Sequence, residues 1–136
     1  MNRPDFVSLG TILNALQQAK GRAYGNSWER RGEMGILHQV FRKMDRIENL
    51  VYDFEKTSKW VTGTESLPET VADLAVYALL WLSRCAETQE KEFLDWLTNA
   101  VEFAKMADIP EKVKENAHNA YEFLLSQSGS LPTIKE

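Results

Sequence analysis

The chain has 136 residues, 43% hydrophobic and 26% charged, a mixture typical of one globular domain rather than of a disordered chain. Its formal net charge is -4, which disfavours direct nucleic-acid binding, and its single cysteine, Cys85, excludes an internal disulfide framework. The longest apolar stretch, residues 71–82, contains Asp73 and is shorter than the roughly 18 residues that a membrane span needs. Composition therefore predicts a soluble, cytoplasmic protein with no membrane contact.

Helical periodicity dominates the whole chain, and we expect an all-α protein, an antiparallel bundle of about five helices. The predicted helices, in chain order, cover about residues 6–23, a long segment ending near 56, then 67–84, 89–106 and 111–125. Residues 56–65 are predicted to be a connection. We expect one helical domain over residues 1–125 and a flexible tail over 126–136, which is rich in Ser, Gly and Pro.

The second helix carries the clearest periodic signal in the chain. Apolar residues alternate steps of three and four, which predicts a stripe facing the core: Leu37, Val40, Met44, Ile47, Val51 and Phe54. One step of four back from Leu37 reaches Glu33, so a carboxylate extends the stripe where an apolar residue is expected. The stripe therefore predicts one helix face that is apolar along its length and acidic at its start.

Two helix starts are predicted from capping patterns. Ser66 stands three residues before Glu69 with Pro68 between them, which indicates a capping box at the start of the third helix. Asp108 stands three residues before Glu111 and predicts a similar cap for the fifth helix. The third helix is apolar almost all round, so we expect it to be central in the fold.

Acidic side chains on the second and third helices are the candidates for chemistry. Glu65, Glu69 and Asp73 are spaced by four, and Asp73 shares its helix face with Val76 and Leu80. A carboxylate among apolar neighbours is costly unless a cation or hydrogen bonds compensate it. Because Mg²⁺ prefers oxygen ligands, we expect a magnesium site held by Glu33, Glu69 and Asp73.

Each of these carboxylates also has an ordinary structural explanation. Glu69 is explained by the capping box alone, and Glu65 by a position outside the helix. Glu33 has possible ion-pair partners on its own helix surface in Arg30 and Arg31. Asp73 is the hardest to explain this way, because it lies beyond the first turn within an apolar run.

Basic and aromatic residues could complete a phosphate-binding site. Lys43 and Arg46 lie three residues apart on the second helix, and Lys20 and Arg22 precede the segment Tyr24–Trp28. Each cation could contact phosphate, although its default role is a solvated or intrahelical ion pair. Tyr24 and Trp28 could stack on a base or anchor their turn in the core.

Several short motifs, in a fixed order, resemble the nucleotide modification associated domain 1 family. They are Tyr24-Gly25-Asn26-Ser27-Trp28, Arg31-Gly32-Glu33-Met34-Gly35, residues 43–50, Glu65-Ser66, and Asp73-Leu74-Ala75 with Tyr77. That family is frequent in phages and is similar to the all-α nucleoside triphosphate pyrophosphatases of the MazG type. The resemblance covers about residues 5–85 of the chain.

The resemblance implies a MazG-like fold and a nucleotide as the ligand, in the host cytoplasm if the chain is phage-encoded. It implies a Mg²⁺-dependent hydrolase that releases pyrophosphate from (d)NTPs or modified nucleotides and assembles as a homo-oligomer, a dimer or tetramer. The implied catalytic residues are Glu33 and Glu65, and the implied metal ligands are Glu33, Glu69 and Asp73. The implied substrate-binding residues are Lys43, Arg46, Tyr24, Asn26, Trp28 and Arg30.

The chain departs from the family pattern at three points. Ile36 stands where a second Glu is expected, Glu69 precedes Asp73 by four residues rather than three, and Val76 replaces a frequent Asn. These departures leave two other hypotheses open beside the pyrophosphohydrolase. The chain could be a non-catalytic protein that senses or sequesters a nucleotide signal, or a helical scaffold whose acidic residues serve capping and surface charge.

Overall fold

The computed structural model describes residues 1–24 and 30–128, and the side chains of all of these except 22–24. This part of the chain forms five helices and contains no strand: α1 Phe6–Tyr24, α2 Gly32–Thr57, α3 Leu67–Thr88, α4 Glu90–Met106 and α5 Glu111–Ser126. The predicted all-α fold is confirmed, and the helix bounds agree closely with the periodicity. Among the described residues, none of the helices is long and apolar enough to cross a bilayer.

The chain divides into two compact units, residues 1–83 and residues 84–136, with the boundary inside α3. The first unit holds α1, α2 and most of α3, and the candidate site lies in it. One helical domain over residues 1–125 stays a prediction. The tail predicted for residues 126–136 lies, from residue 129 on, outside the described residues.

The buried row of α2 differs from the predicted stripe by one residue. Ile36, Lys43 and Leu50 are buried on this helix, at intervals of seven residues or about two turns. The predicted stripe is wrong as a description of the core, since Met44 is 47% exposed and Val51 is 37% exposed. The physical reason is that Lys43, a charged residue in the buried row, has carboxylate partners that neutralise it.

Local sequence sets most of the helix ends. The predicted capping box of α3 is confirmed: Ser66 N–H donates to Glu69 Oε1 at 2.9 Å, and Glu69 N–H donates to Ser66 Oγ at 3.3 Å. The cap predicted at Asp108 is wrong, because α5 begins after an N-cap at Pro110 that makes no side-chain bond. The backbone of Ser58 closes α2 in the left-handed region, with φ of 59°.

The third helix is covered on only part of its circumference. Thr70 is its buried residue, whereas Val71 is 45% exposed and Leu79 is 57% exposed. The expectation that α3 is central in the fold is therefore wrong for the described residues, since apolar side chains of this helix are exposed. The physical reason is that its partners in the first unit, α1 and α2, leave a side of α3 uncovered.

The second unit is an α4–α5 pair. Leu97 and Val101, one turn apart on α4, are buried, and the hydroxyls of Thr98 and Tyr121 lie 3.0 Å apart across the pair. This unit contains none of the predicted site residues, which all belong to residues 1–83.

Candidate functional site

The polar centre of the first unit is a group of two lysines and two carboxylates, Lys20, Lys43, Glu65 and Asp73, which we name the lysine–carboxylate cluster. Lys20 is on α1, Lys43 on α2, Asp73 on α3, and Glu65 stands two residues before α3. The cluster therefore joins all three helices of the unit by charged contacts. Three of its four members are residues that the sequence analysis selected.

The Lys43 ammonium lies between the two carboxylates. Its Nζ is 3.0 Å from Asp73 Oδ2, 3.1 Å from Glu65 Oε2 and 3.3 Å from Glu65 Oε1. The Lys43 side chain is only 9% exposed, so these bonds replace most of the hydration that its charge loses. The partly buried carboxylate of Asp73 thus receives its cation from a side chain of the same protein.

The Lys20 ammonium completes the cluster at its open side. Its Nζ lies 2.8 Å from Asp73 Oδ1, and the Lys20 side chain is 49% exposed. Asp73 consequently receives one ammonium on each carboxylate oxygen, from α1 and from α2. Lys20 is the cluster member with the most access to solvent.

A third cation holds the segment that carries Glu65. Arg46 lies one turn after Lys43 on α2, and its guanidinium donates to the backbone carbonyl of Glu65 at 2.7 Å and to the Thr64 hydroxyl. Together with the cluster, Arg46 gives three positive and two negative side chains within one set of contacts. The site therefore carries an excess of positive charge on a chain whose formal net charge is -4.

The ion pairs of the cluster shift the pKa values of three groups. Burial would raise the pKa of Asp73, but hydrogen bonds from Lys20 and Lys43 outweigh it and hold that pKa below its ordinary value. Burial would likewise lower the pKa of Lys43, but Asp73 and Glu65 raise it above its ordinary value. The Asp73 carboxylate and the Lys43 ammonium are therefore both charged at neutral pH.

Two neighbours lower the pKa of Glu65: the hydroxyl of Thr70 first and the ammonium of Lys43 second. A hydroxyl has one proton, however, and the Thr70 hydroxyl donates to the Ser66 carbonyl at 2.7 Å. We therefore attribute the stabilised Glu65 carboxylate chiefly to Lys43, which contacts both of its oxygens.

The predicted magnesium ligands are each engaged by a different protein group. Glu69 caps α3, Asp73 is bonded to two lysines, and Glu33 accepts a hydrogen bond from the indole N–H of Trp81. Within the described residues, no group of three Asp, Glu, His or Cys side chains could hold a metal ion. The described residues therefore do not fit Mg²⁺, and the metal site stays a prediction.

The remaining predicted residues lie beside or outside the described site. Arg30 is exposed in the turn before α2. The side chain of Tyr24 is outside the described residues, as are Asn26 and Trp28. Of the predicted substrate-binding set, the structure thus brings together Lys43 and Arg46, and it pairs Lys43 with Glu65, which was predicted to be catalytic.

Lys20 is the cluster member whose partner was not predicted: the sequence offered it as a possible phosphate contact, with a solvated or intrahelical ion pair as its default role. Nothing local to α1 indicates that Asp73, far away in sequence, is its partner. Gln39 lies one turn before Lys43 on α2, and its buried Oε1 has no hydrogen-bond partner within the described residues. The contact between Lys20 and Asp73 is long-range, and only the packing of α1 and α3 reveals the role of Lys20.

Comparison with known proteins leaves the family of this chain undecided. No family model matches it, and no solved structure matches it. The chain is similar to a protein described as "Gene 30 protein" of Bacillus phage SP01, with 28% identity over 120 residues. The match covers 73% of this chain, and the chain spans about half, 53%, of the length of that relative. The chain is thus similar to a phage protein whose name states no activity.

Proposed function

We propose that this chain binds a nucleotide through its phosphates at the lysine–carboxylate cluster, without hydrolysing it. The single observation that supports the proposal is the position of Lys20, a half-exposed ammonium at the open edge of a site with excess positive charge. An ammonium has three donors, and one of them is directed to Asp73. Two donors therefore remain for phosphate oxygens.

The buried part of the cluster supports this role by fixing the position of Lys20. Lys43 holds Asp73, and Asp73 in turn holds the Lys20 ammonium at the open edge. A donor whose position is already fixed loses less side-chain entropy when a ligand binds. Lys43 and Arg46 add positive charge behind Lys20, which favours an anionic ligand electrostatically.

The magnesium-dependent pyrophosphohydrolase activity implied by the family resemblance is the second candidate. It requires carboxylate oxygens that can coordinate a metal, whereas those of Asp73 and Glu69 are engaged by protein donors. Nucleotide binding without turnover is consequently the candidate that the geometry favours. The similarity to a phage protein is consistent with a phage setting. In that setting, the chain would bind its nucleotide in the host cytoplasm.

We also propose that the chain forms a homo-oligomer. Large apolar side chains of the first unit are exposed to solvent: Ile12 is 66% exposed, Met34 is 59% exposed and Phe41 is 57% exposed. Exposed apolar side chains favour association, because burying them removes apolar surface from water. A second copy of the chain is the partner that is always present.

The test of nucleotide binding uses calorimetric titration with a panel of NTPs and dNTPs, with Mg²⁺ or with EDTA, followed by chromatography of the recovered ligand. We expect binding in EDTA, recovery of intact nucleotide, and weaker affinity at higher salt because ionic screening reduces charge attraction. We expect Lys20→Ala to weaken binding about tenfold or more, the equivalent of one charge-assisted contact.

Lys91→Ala is the matched control for Lys20→Ala. Lys91 also pairs with an aspartate, Asp95, at 2.9 Å, but it lies on α4 in the second unit. Its removal is expected to leave affinity unchanged. Release of pyrophosphate in Mg²⁺ would replace the proposal with the hydrolase, and absence of binding by every nucleotide would contradict both.

A further inference from the structure

An apolar groove lies between α1 and α3 in the first unit. Its volume is about 160 Å³, and its apolar lining comes from Leu13 of α1 and from Val76, Leu79 and Leu80 of α3. Gly10 forms part of the wall, and a Cβ atom added to Gly10 would meet no atom within 4 Å. The groove is therefore an open space with an apolar lining rather than a filled contact between two helices.

The groove continues directly into the lysine–carboxylate cluster. Gln17 of α1 and Val76 of α3 both line the groove. Lys20 follows Gln17 by three residues, Asp73 precedes Val76 by three residues, and the side chains of Lys20 and Asp73 form an ion pair. A step of three residues is about one helical turn, so these residues follow the same faces of the two helices. The groove and the exposed Lys20 ammonium are consecutive parts of one surface between α1 and α3.

Two amide side chains add hydrogen-bonding groups to the apolar lining. Asn14 and Gln17 both line the groove, and the Asn14 amide oxygen accepts a hydrogen bond from Gln18 at 3.3 Å. An amide carries both donors and an acceptor, so it can pair with the polar edge of a ring. The groove thus combines apolar walls with a few polar groups, the composition that small-molecule sites share.

We infer that this groove binds the base of the nucleotide whose phosphates contact Lys20, an inference that rests on the proposed function. A nucleobase has apolar faces and a hydrogen-bonding edge, which correspond to the leucine and valine lining and to the amides of Asn14 and Gln17. Asn14 precedes Lys20 by six residues, or about 9 Å along a helix axis, and the sugar of a nucleotide can bridge such a separation. Charge complementarity fixes the orientation, with the phosphates at the Lys20 end.

Gly10→Leu tests the inference, because it places a side chain in the groove without changing any charged residue. Leucine favours helix more than glycine does, so the free variant is expected to melt no lower than the wild type. The two ligands compared are a nucleoside triphosphate and inorganic tripolyphosphate, which has the phosphates and no base. We expect Gly10→Leu to weaken nucleotide binding at least tenfold and to leave tripolyphosphate binding unchanged.

Ala15→Leu is the matched control, since it also adds a leucine side chain to α1, but at an exposed position that does not line the groove. We expect it to bind both ligands about as the wild type does. Asn14→Ala is expected to change the order of affinity among bases while tripolyphosphate binding stays the same.

The possible results distinguish the groove from the phosphate site. If the wild type binds tripolyphosphate as tightly as nucleotides, the groove inference is overturned while the phosphate site stands. If neither ligand binds, the proposed function fails and the inference fails with it. If Gly10→Leu lowers the oligomeric mass and leaves nucleotide binding unchanged, a second copy occupies the groove and the inference is overturned.

Discussion

Lys43 shows how a side chain can supply positive charge to neighbouring carboxylates. It lies in the buried row of α2 between Ile36 and Leu50, and its ammonium contacts both Glu65 and Asp73. The carboxylate of Asp73 does need a cation, as its apolar neighbours in sequence indicate. The sequence could not show that Lys43 supplies this cation, because their contact joins two helices that are separated by a long connection.

At the residue scale, we predict that Asp73→Asn destabilises the protein. The change removes the negative charge shared by Lys20 and Lys43, and hydrogen bonds to charged groups contribute about 1.5–3 kcal/mol each to stability. We therefore expect a loss of roughly 2 kcal/mol in the free energy of unfolding at pH 7, measured by urea denaturation. Asp95→Asn, which affects an exposed pair with Lys91, is the control and is expected to cost about 0.5 kcal/mol or less.

The same variant has a predicted dependence on pH. The pKa of Asp73 is lower in the folded state, so its stabilisation is present above the unfolded pKa and is lost as pH falls through the folded value. The difference between wild type and Asp73→Asn should thus be full at neutral pH, begin to decrease near pH 4, and disappear only below the lowered folded pKa. A variant that is more stable than the wild type at pH 7 would instead indicate carboxylates that repel one another.

At the scale of a helix, local signals predicted the ends well and the buried faces poorly. The capping box of Ser66 and Glu69 involves residues three apart, so the sequence contains the whole interaction. The buried row of α2 depends on what packs against it. The predicted stripe consisted of apolar residues one position away from the buried row. It left out Lys43, because a lysine is expected in a core only where its charge has partners, and those partners come from α3 and the segment before it.

The capping box of α3 gives a prediction at this scale. Ser66→Ala removes the acceptor for the Glu69 N–H, and loss of such an N-cap costs about 1 kcal/mol. We expect a decrease of that size in the free energy of unfolding, with Ser66→Asp retaining most of the stability. Ser83→Ala, a change at an exposed position of the same helix, is the control and should be close to neutral. Equal stability of Ser66→Ala and the wild type would show that the box does not stabilise α3.

For the whole molecule, the amino-acid sequence predicted the fold class and the number of helices, whereas the proposed association depends on exposure that only the structure reveals. Ile12, Met34 and Phe41 are ordinary apolar residues in the sequence, and their exposed side chains become visible only after the helices pack. The resemblance to an oligomeric family gave the expectation, and the exposure of these side chains is the observation behind the proposed association.

We predict that sedimentation equilibrium at micromolar concentration gives a mass of at least twice the 15.6 kDa of the chain. Ile12→Glu should shift the protein toward the monomer, because a charge in an apolar interface is not compensated. Phe103→Glu is the matched control, since Phe103 is 74% exposed but belongs to α4 in the second unit. A monomeric wild type, or equal effects of the two substitutions, would contradict the assignment of the interface to the first unit.

The alignment of the groove with the Lys20–Asp73 pair has a consequence for how this chain tolerates length changes. One residue inserted between Gln17 and Lys20 would turn the rest of α1 by about 100°, so Lys20 would leave the groove face. Substitutions at the same positions would preserve that phase. Natural variants of this chain should accordingly differ in residue identity between Gly10 and Lys20 but contain no insertions or deletions there. In a library of single-residue insertions, the largest loss of ligand affinity should occur in this segment.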